Sequence, residues 1–565
     1  PTDLTVWDWL FDSPYSPLSK HPESELGGYL NAITKERINY KQVKEATTYL
    51  STALVKKYGL KEGETVALFS PNTIWYPVAM LGTLRAGGVV SGASPAYNVE
   101  EMTYALKTGR AKFLMTMPSS MQVAAAAAKN AGIPKENVFL LEGEMEGFTT
   151  IKELIEMGKK EEQIPAFKVP KGKKNKDVCG FLSFSSGTTG LPKAVMIAHQ
   201  NVIAQCLQVQ QITPSDLKRV LAVLPLFHIT GLVHGLHLPC LINAEVIMVP
   251  TFTMEIMLNT VVEYKLVELL LGQTSLRSLI VAPSFTNALA VPPILIRLVR
   301  DPIVDKYDLS FLRRFSSGAA PLSEEIIQLL KKKFPQTGFK QGYGMTESCS
   351  CITAHPPALY DYKYAHAVGT VVANTEVKIL KEDGTEAGVN EPGEILARGP
   401  QIVMGYLGNE AATRETFEAD GFLHTDDQGV IDEHGVVTIL DRIKEMIKVK
   451  GIGVAPAELE DLLLGHELVE DVAVLGIKDE YAGELPKAFV VPKRGVQPSE
   501  EVARELMKYV RDKKVRHKWV KEVEFAAEIP KSASGKILRR VLCDQNLGAA
   551  RGIVVKDAVK EKAML

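Results

Sequence analysis

The sequence predicts an α/β protein: a large N-terminal domain of parallel sheets wrapped by helices, a β-subdomain, and a small α+β C-terminal domain. Its 565 residues exceed what a single hydrophobic core accommodates. Strand-like apolar runs alternate with helical patterns over most of the length, and the composition changes near Asp441. Strands that alternate with helices usually pair in parallel, so we expect the functional site at their carboxyl ends.

The first half of the chain shows this alternation most clearly. Thr65–Phe69 is a strand-like run that ends at Pro71-Asn72, and Ile74–Arg85 has a helical pattern that ends before Gly87-Gly88. Further strand-like runs follow at Val220–Leu224, Val246–Val249 and Phe311–Ser317. This order predicts parallel sheets covered by helices.

The last third of the chain has a different pattern. Glu376–Leu396, with its Asp383-Gly384 turn, predicts β-structure. Beyond it, the strand-like runs Asp471–Ile477 and Lys487–Val491 alternate with charged helices such as Glu500–Lys514. We therefore predict one domain over residues 1–441 and a smaller C-terminal domain over residues 442–565.

The overall composition is that of an ordinary globular protein, with 46% hydrophobic and 23% charged residues. A formal net charge of −2 gives no support for nucleic-acid binding, and we expect no nucleic-acid partner. The six cysteines form no CxxC or Cys/His cluster, which favours free thiols in a reducing compartment.

We expect neither a signal peptide nor a membrane span, because no apolar run has the required layout or length. The cytoplasm is the expected compartment. The terminal Ala-Met-Leu lacks the central basic residue of a peroxisomal address, so it is a poor match to one. The sequence leaves the oligomeric state open.

One glycine- and hydroxyl-rich segment, SSGTTGLPK, follows the strand-like run Val178–Phe184. Glycine lets backbone N–H groups approach an anion, the hydroxyls add donors and the lysine adds charge. The segment is not a Walker A loop, because Lys193 does not follow a glycine. It predicts a phosphate-binding loop, and the alternative is a solvated turn between a strand and a helix. The candidate residues are Ser185, Ser186, Gly187, Thr188, Thr189, Gly190 and Lys193.

A second segment, Gln341–Glu347, reads QGYGMTE. Its tyrosine lies between two glycines and could stack on a base, and Glu347 could hold a divalent cation. The alternative is a tight turn that follows a strand, with a buried tyrosine and a solvated glutamate.

Three short segments complete the pattern. His424–Asp427 and Asp441–Glu445 combine carboxylates with an arginine, which suits the two hydroxyls of a ribose, or equally a surface network of ion pairs. Pro530–Lys536 places a lysine at the end of a turn of small residues, where most lysines only face solvent.

In this order, the segments resemble the motifs of the adenylate-forming enzymes, and most closely the 4-coumarate–CoA ligase family of acyl- and aryl-CoA ligases. The resemblance extends from about residue 30 to residue 545. It implies a ligase that uses MgATP to convert a carboxylic acid to an acyl-adenylate and transfers the acyl group to CoA. The implied cofactors are ATP, Mg²⁺ and CoA, and the C-terminal domain is expected to be mobile.

The resemblance also implies a role for each matching residue in the nucleotide site. The loop Ser185–Lys193 would hold the β- and γ-phosphates. Gly318, Ala319 and Ala320 would line the adenine and acyl pockets, and Tyr343, beside Gly344, would stack on adenine. Thr346 would contact the α-phosphate and Glu347 would bind Mg²⁺. Asp427 and Arg442 would hold the ribose.

Four further residues match motifs that act in different conformations of the family. Lys444 falls at the hinge, and Lys536 matches the lysine that assists adenylation. Lys448 and Gly451 match positions used in the thioester-forming conformation.

The resemblance places His228 opposite the reacting carboxylate, although a structural core histidine is the alternative. Thr230 and His234 match positions that line the phenolic pocket of hydroxycinnamate ligases, and Ser348 is assigned to the same pocket. Because Thr230 is smaller than the tyrosine often found there, we expect a medium-chain fatty acid or an aryl acid without a para-hydroxyl.

Three residues depart from the family pattern. Asp426 replaces a customary glycine, which adds charge near the ribose and could demand backbone strain. Gly453 replaces a frequent polar residue, and Ala194 a frequent glycine. Two alternatives therefore accompany the ligase: an adenylating enzyme that loads a separate carrier protein, and a catalytically impaired homologue that binds nucleotide or acyl-adenylate.

The 19 residues Gly272–Ala290 interrupt the family spacing. Their removal joins Leu271 to Val291 and restores that spacing. We hypothesise a retained intron, since codons at both ends can accommodate splice-site dinucleotides. The alternative is a surface loop, and sequencing of the mature transcript decides between them.

Overall fold

The computed structural model describes residues 1–185, 191–270, 294–318, 324–450, 452–479, 481–531, 537–546 and 552–557. For Lys444 it describes the backbone alone. Several predicted features lie outside the described residues: Ser186, Gly187, Thr188, Thr189, Gly190, Ala319, Ala320, Gly451, Lys536 and the insert Gly272–Ala290.

The α-helices of the described ranges are, in chain order, α1 (Val6–Phe11), α2 (Tyr40–Lys56), α3 (Trp75–Arg85), α4 (Val99–Thr108), α5 (Met121–Ala131), α6 (Ile151–Lys159), α7 (His199–Gln211), α8 (Leu238–Leu241), α9 (Met254–Tyr264), α10 (Ile294–Arg300), α11 (Glu324–Lys333), α12 (Glu410–Thr416), α13 (Pro456–Leu464), α14 (Glu500–Lys513) and α15 (Arg539–Asn546). A π-helical segment, Gly231–His237, precedes α8. None of the helices in these ranges combines the length and the apolarity needed to cross a bilayer.

The strands of the same ranges are β1 (Gly28–Asn31), β2 (Arg37–Asn39), β3 (Thr65–Phe69), β4 (Val89–Ala93), β5 (Ala111–Thr116), β6 (Val138–Leu140), β7 (Thr149–Thr150), β8 (Cys179–Ser185), β9 (Lys193–Ala198), β10 (Arg219–Ala222), β11 (Glu245–Met248), β12 (Glu268–Leu270), β13 (Arg314–Ser317), β14 (Gly338–Met345), β15 (Ser350–Ala354), β16 (Thr370–Val371), β17 (Glu376–Leu380), β18 (Gly393–Arg398), β19 (Gly405–Tyr406), β20 (Leu423–Ile431), β21 (Val437–Arg442), β22 (Ile447–Val449), β23 (Ile452–Val454), β24 (Val469–Asp479), β25 (Gly483–Pro492), β26 (Glu522–Phe525) and β27 (Val554–Lys556).

The largest sheet has the order β19-β9-β8-β4-β3-β5-β6-β7 among the described strands. From β8 to β7 its neighbours pair in parallel, whereas β9 and β19 add antiparallel pairs at one edge. All five residues of β3 are buried, as expected for a parallel strand with both faces covered. The predicted strand at residues 65–69 and the helix ending at Arg85 are both present, which confirms the alternation read from the sequence.

Two smaller sheets complete the large N-terminal part. One has the order β10-β11-β1-β2, and the other β12-β13-β14-β15-β16. In the second, β12, β13 and β14 run parallel, and β15 and β16 return antiparallel. The second half of β14 carries Gly342–Met345, so this sheet positions the predicted adenine segment.

The predicted β-structure after residue 376 is the antiparallel sheet β17-β18-β20-β21. The C-terminal part forms a separate sheet, β23-β22-β25-β26-β27, with β24 paired to β25. Its apolar core includes Val472, Leu506 and Val523 and is distinct from the cores of the N-terminal part. The α/β fold class, with a small α+β unit at the end, is confirmed.

Candidate active site

Three predicted nucleotide-site residues meet where β14 faces the β20–β21 hairpin. The Tyr343 hydroxyl donates a 2.7 Å hydrogen bond to Asp427 Oδ2. Asp427 lies opposite Arg442 in the β20–β21 register, and Arg442 Nε is 3.4 Å from Asp427 Oδ1. Burial and the adjacent Asp427 raise the pKa of Tyr343 well above its ordinary value, so the phenol stays protonated and donates. A side-chain hydrogen bond between two sheets thus joins residues 84 positions apart in sequence.

Asp426, the residue at the customary glycine, has a φ of +59°, in the left-handed region. It lies where the register of β20 shifts against β18, and its N–H donates to Glu394 Oε1 at 3.1 Å. The backbone therefore keeps the conformation that a glycine would adopt freely. The aspartate carries the steric strain that the sequence predicts.

The predicted metal ligand Glu347 is linked to the end of the predicted phosphate loop. Its side chain is buried and accepts a 3.0 Å hydrogen bond from the Tyr406 hydroxyl. The Lys193 ammonium lies 4.6 Å from the centre of the Tyr406 ring. Burial, and then Glu347, raise the pKa of Tyr406, which keeps its hydroxyl a donor. Tyr406 therefore fixes one carboxylate oxygen and packs under the lysine.

Tyr406 is not among the residues predicted from the sequence. It lies 59 residues beyond Glu347, so no local spacing connects the two. Its position on β19, paired with β9, brings it under Lys193. An isolated Gly405-Tyr406 pair gives no functional signal in one sequence.

The strands that flank the predicted phosphate loop form an antiparallel pair, with Ser185 opposite Lys193. The loop therefore connects two strands, and the strand-to-helix turn considered as the alternative is wrong. A hairpin fixes the separation of the loop ends, because both ends are hydrogen-bonded in one ladder.

A cleft that opens to solvent lies between α7, the segment after β10 and the strands β13–β15. The predicted residues that line it are His228, Thr230, His234, Gly318, Tyr343, Gly344 and Thr346. The cleft is therefore lined both by residues predicted for the nucleotide site and by residues predicted for the acid pocket.

Several predicted residues do not line this cleft in the described part of the chain: Ser185, Lys193, Glu347, Ser348, Asp427, Arg442 and Lys448. Ser348 is fully buried; its hydroxyl accepts from the Met345 N–H at 3.0 Å and bonds the Ser350 carbonyl at 2.8 Å, which shapes the turn after β14. Lys448 has an exposed side chain on β22, and its N–H donates to Glu484.

The cleft has buried polar atoms that no protein group satisfies. Ser317 Oγ and Gln341 Oε1 are buried without a hydrogen-bond partner among the described residues, and both side chains line the cleft. Buried polar groups nearly always have partners, so these two fit a bound ligand with hydrogen-bonding groups. Gly344 is required for packing, since a Cβ there would lie 1.5 Å from the Ser350 carbonyl oxygen.

The two histidines of the acid pocket differ in environment. His234 Nε2 is 3.0 Å from Ser350 Oγ, and burial, assisted by the Lys340 charge, lowers the pKa of His234 to about 4. It is therefore neutral at neutral pH. His228 is half-buried, and its Nδ1 accepts a long 3.5 Å contact from the Thr230 N–H.

The site also fits a magnesium ion shared with a substrate. In the described ranges no cluster of three His, Cys, Asp or Glu side chains could hold a metal ion. Mg²⁺ typically takes one or two carboxylates and completes its shell with waters and substrate phosphates, and Glu347 supplies such a carboxylate.

Comparison with known proteins decides the family. The sequence profile of the AMP-binding enzymes matches residues 29–407, and that of their C-terminal domain matches residues 458–536. The chain belongs to the AMP-binding enzyme family. Among its relatives, 4-coumarate–CoA ligase-like 1 of Arabidopsis thaliana is 36% identical, covering 92% of this chain and 91% of the relative. The 4-coumarate:CoA ligase 1 of Petunia hybrida is 35% identical, covering 91% and 90%.

The fold agrees with that of a solved CoA ligase structure. The crystal structure of the anthranilate CoA ligase AuaEII in complex with anthranoyl-AMP superposes with a TM-score of 0.80 at 23% identity, covering 96% of this chain and 98% of that one. These comparisons confirm the predicted family and the predicted enzyme class, an ATP-dependent, AMP-forming acid–CoA ligase. They also confirm the cofactors ATP, Mg²⁺ and CoA. The ligase uses a small-molecule acid and CoA as substrates.

Proposed function

We propose that this ligase activates a medium-chain fatty acid or an aryl acid with MgATP and passes the acyl group from the adenylate to CoA. The observation that carries the proposal is the single cleft lined both by Tyr343 and Thr346 and by the acid-pocket residues His228, Thr230 and His234. Thr230 leaves room where a larger residue would close the pocket.

Adenylation requires a carboxylate to approach the α-phosphate, so two anions must come together. Glu347, fixed by Tyr406, would hold Mg²⁺, which supplies charge neutralisation when bound. Thr346 would contact the α-phosphate and Lys193 the outer phosphates. Lys536 would act as an electrostatic group in the transition state and not as a general base.

The ribose would lie against Asp427 and Arg442. The Tyr343–Asp427 hydrogen bond supports this role, because it fixes the carboxylate that would accept the ribose hydroxyls and also aligns the ring for adenine. Ser317 and Gln341, with their unsatisfied oxygens, would receive polar groups of the nucleotide.

We further propose that residues 442–565 form a domain that turns about Lys444. In one orientation Lys536 would face the adenylation site; in the other Lys448 and Gly451 would face it. The separate apolar core of this part supports rotation as a unit. So does the exposure of Lys448 away from the cleft in the present orientation. The six cysteines are all free, which supports the cytoplasm as the compartment.

Acid-stimulated release of pyrophosphate, measured with a panel of fatty and aryl acids, tests the adenylation step. Thioester formation on addition of CoA tests the second step. Adenylation without thioester would favour a separate carrier protein, for which the comparisons give no support. Nucleotide binding without pyrophosphate release, whatever acid is offered, would identify the impaired homologue and refute the proposal.

Lys536→Ala should reduce adenylation on the order of 10²–10³-fold and spare ATP binding. Lys531 provides the matched control from the same segment. Its ammonium binds both carboxylate oxygens of Asp471, at 2.8 and 2.7 Å, so it has a structural partner. Lys531→Ala should lower thermal stability and leave the adenylation rate within a few-fold. Unchanged pyrophosphate release in Lys536→Ala would remove that residue from the mechanism.

A further inference from the structure

A short 3₁₀ turn, Ile443–Glu445, joins β21 to β22. Strand β21 belongs to the antiparallel sheet β17-β18-β20-β21, and β22 belongs to the sheet of the C-terminal part. The Met446 N–H donates to the Arg442 carbonyl at 3.2 Å and closes the turn. Lys444, the proposed hinge residue, lies in the middle of this turn, so a rotation about it must open the turn.

One side chain spans the turn and contacts an arginine on each side of it. Glu445 Oε1 lies 3.6 Å from Arg442 Nη1, and Glu445 Oε2 accepts a 2.7 Å hydrogen bond from Arg539 Nε. Arg442 ends β21 before the hinge, whereas Arg539 begins α15 after it. Residues three apart are neighbours while the turn keeps its helical form, so opening the turn separates Glu445 from Arg442.

The two halves of this bridge are held unequally. Arg539 also donates to both carboxylate oxygens of Glu460, at 2.8 and 3.1 Å, and Glu460 Oε1 accepts from the Val474 N–H at 2.7 Å. These contacts fix Arg539 against α13 and β24. The contact of Glu445 with Arg442 is 3.6 Å long, beyond hydrogen-bonding distance, so a rotation breaks this half and keeps the other.

The Arg442 half of the bridge connects to the proposed nucleotide site. Arg442 Nε is 3.4 Å from Asp427 Oδ1, and Asp427 Oδ2 accepts from the Tyr343 hydroxyl. Arg442 thus lies between two carboxylates, one at the proposed ribose site and one beyond the hinge. The side chains of Arg442 and Glu445 are 32% and 18% exposed, so solvent screens their attraction only in part.

The bridge belongs to the orientation in which Lys448 is away from the cleft. Lys448 is exposed on β22, three residues after Glu445, and does not line the described cleft. Under the proposed rotation, this orientation precedes the one in which Lys448 and Gly451 face the cleft. A contact that exists in one of two orientations shifts the equilibrium towards that orientation.

We propose that Glu445 is a positioning residue that holds the C-terminal part in the adenylation orientation through Arg442 and releases it for thioester formation. This inference rests on the proposed rotation about Lys444 and adds the contact that opposes it. Glu445 takes no part in the chemistry. It acts through Arg442, while Arg539 keeps its carboxylate directed at the hinge.

Glu445→Gln gives the test, because glutamine keeps an acceptor for Arg539 and removes the charge that attracts Arg442. The two half-reactions are measured in separate single turnovers, with the acid that releases pyrophosphate fastest in the panel of fatty and aryl acids. Adenylation is followed as pyrophosphate release without CoA. The second step is followed as thioester formation after CoA is added to the preformed acyl-adenylate complex.

The ratio of the adenylation rate to the thioester rate follows the equilibrium between the two orientations. We expect this ratio to fall about fivefold in Glu445→Gln, which is the effect of losing one partly exposed ion pair. A ratio that stays at the wild-type value overturns the inference. So does a loss of both half-reactions by the same factor, because that result indicates a structural role alone.

Glu458→Gln is the matched control. Glu458, on α13, also bridges two cations, Lys514 at 2.7 Å and Lys518 at 2.6 Å, and its side chain is 30% exposed. This bridge lies wholly beyond the hinge, so its loss should leave the ratio unchanged. An equal fall of the ratio in both variants contradicts a specific role for Glu445.

If Glu445→Gln does not fold, Glu445→Asp takes its place, since aspartate keeps the charge but is one methylene too short to reach both arginines. The same fall in the ratio is expected, and a wild-type ratio in this variant overturns the inference. A wild-type enzyme that releases no pyrophosphate with any acid refutes the ligase itself, which is a different outcome.

Discussion

Asp461, on α13, is the carboxyl group whose ionisation should most affect the stability of the C-terminal part. Burial, and then the neighbouring carboxylates Glu460 and Asp441, raise the pKa of Asp461 to about 7, while Lys514 opposes the rise. Its carboxyl has no hydrogen-bond partner among the described residues. The native protein therefore keeps this proton at a pH where an unfolded chain has lost it.

The magnitude follows from the shift. The ordinary pKa is 3.8, so the difference of about three units corresponds to up to about 4 kcal/mol of unfolding free energy. The native state binds the extra proton between pH 3.8 and 7, so stability falls as the pH rises through that window and the loss is complete above it. Asp461→Asn removes the ionisation. Its gain in stability should be near zero at pH 4 and largest above pH 7.

Scanning calorimetry of the full chain at pH 4, 5, 6, 7 and 8 measures this. In a unit of about 120 residues, we expect the transition temperature of the C-terminal part to rise by up to roughly 15 °C at pH 8 and hardly at all at pH 4. Asp512→Asn is the control, because Asp512 is 56% exposed and its surface ion pair with Lys508 contributes little to stability. A gain independent of pH, or a loss at pH 8, would show that folding does not raise the pKa of Asp461.

Three further predictions concern the N-terminal part. Burial lowers the pKa of His199 and of His237 to about 4, so the unfolded chain takes up protons before the native protein does as the pH falls. Urea unfolding should therefore show the free energy of unfolding falling by about 1.4 kcal/mol per pH unit for each histidine between pH 6.5 and pH 4. His237→Phe should remove one of these two contributions. Asp426→Gly should relieve the strain of the left-handed backbone and raise the free energy of unfolding by up to about 1 kcal/mol. It should also lower the KM for ATP, because it removes a negative charge near the proposed ribose site. A lower melting temperature would show that the wild-type backbone is not strained there. Tyr406→Phe should raise the Mg²⁺ concentration needed for half-maximal adenylation, because Glu347 loses the hydroxyl that orients it; an unchanged Mg²⁺ dependence would show that the hydroxyl has no such role.

The fold could be predicted wherever a short-range pattern determines it. The strand at residues 65–69 has the predicted bounds, and α3 begins one residue later than predicted, because Pro71-Asn72 and Gly87-Gly88 mark the ends of both elements locally. The predicted strand at residues 311–317 was too long by three residues at its start. Apolar residues there continue into a turn that packs in the core, and hydrophobicity alone does not separate the two.

The site could be predicted only as far as its segments carry signals of their own. Gln341–Glu347 and Asp427 stand out by composition, and the structure brings Tyr343 to Asp427. Tyr406 could not be found in this way. Its role depends on the pairing of β19 with β9, which brings it beside Lys193. A single sequence does not show such long-range pairings.

Arg539 links the chain after Lys536, the proposed adenylation lysine, to the residue that follows the proposed hinge Lys444. Its guanidinium bonds Glu445 at 2.7 Å, one residue after Lys444, and both oxygens of Glu460 on α13, at 2.8 and 3.1 Å. Because Arg539 is only three residues beyond Lys536, the chain after that lysine is attached to the first turn after the proposed hinge. A domain that turns about Lys444 would therefore move the chain after Lys536 together with α13.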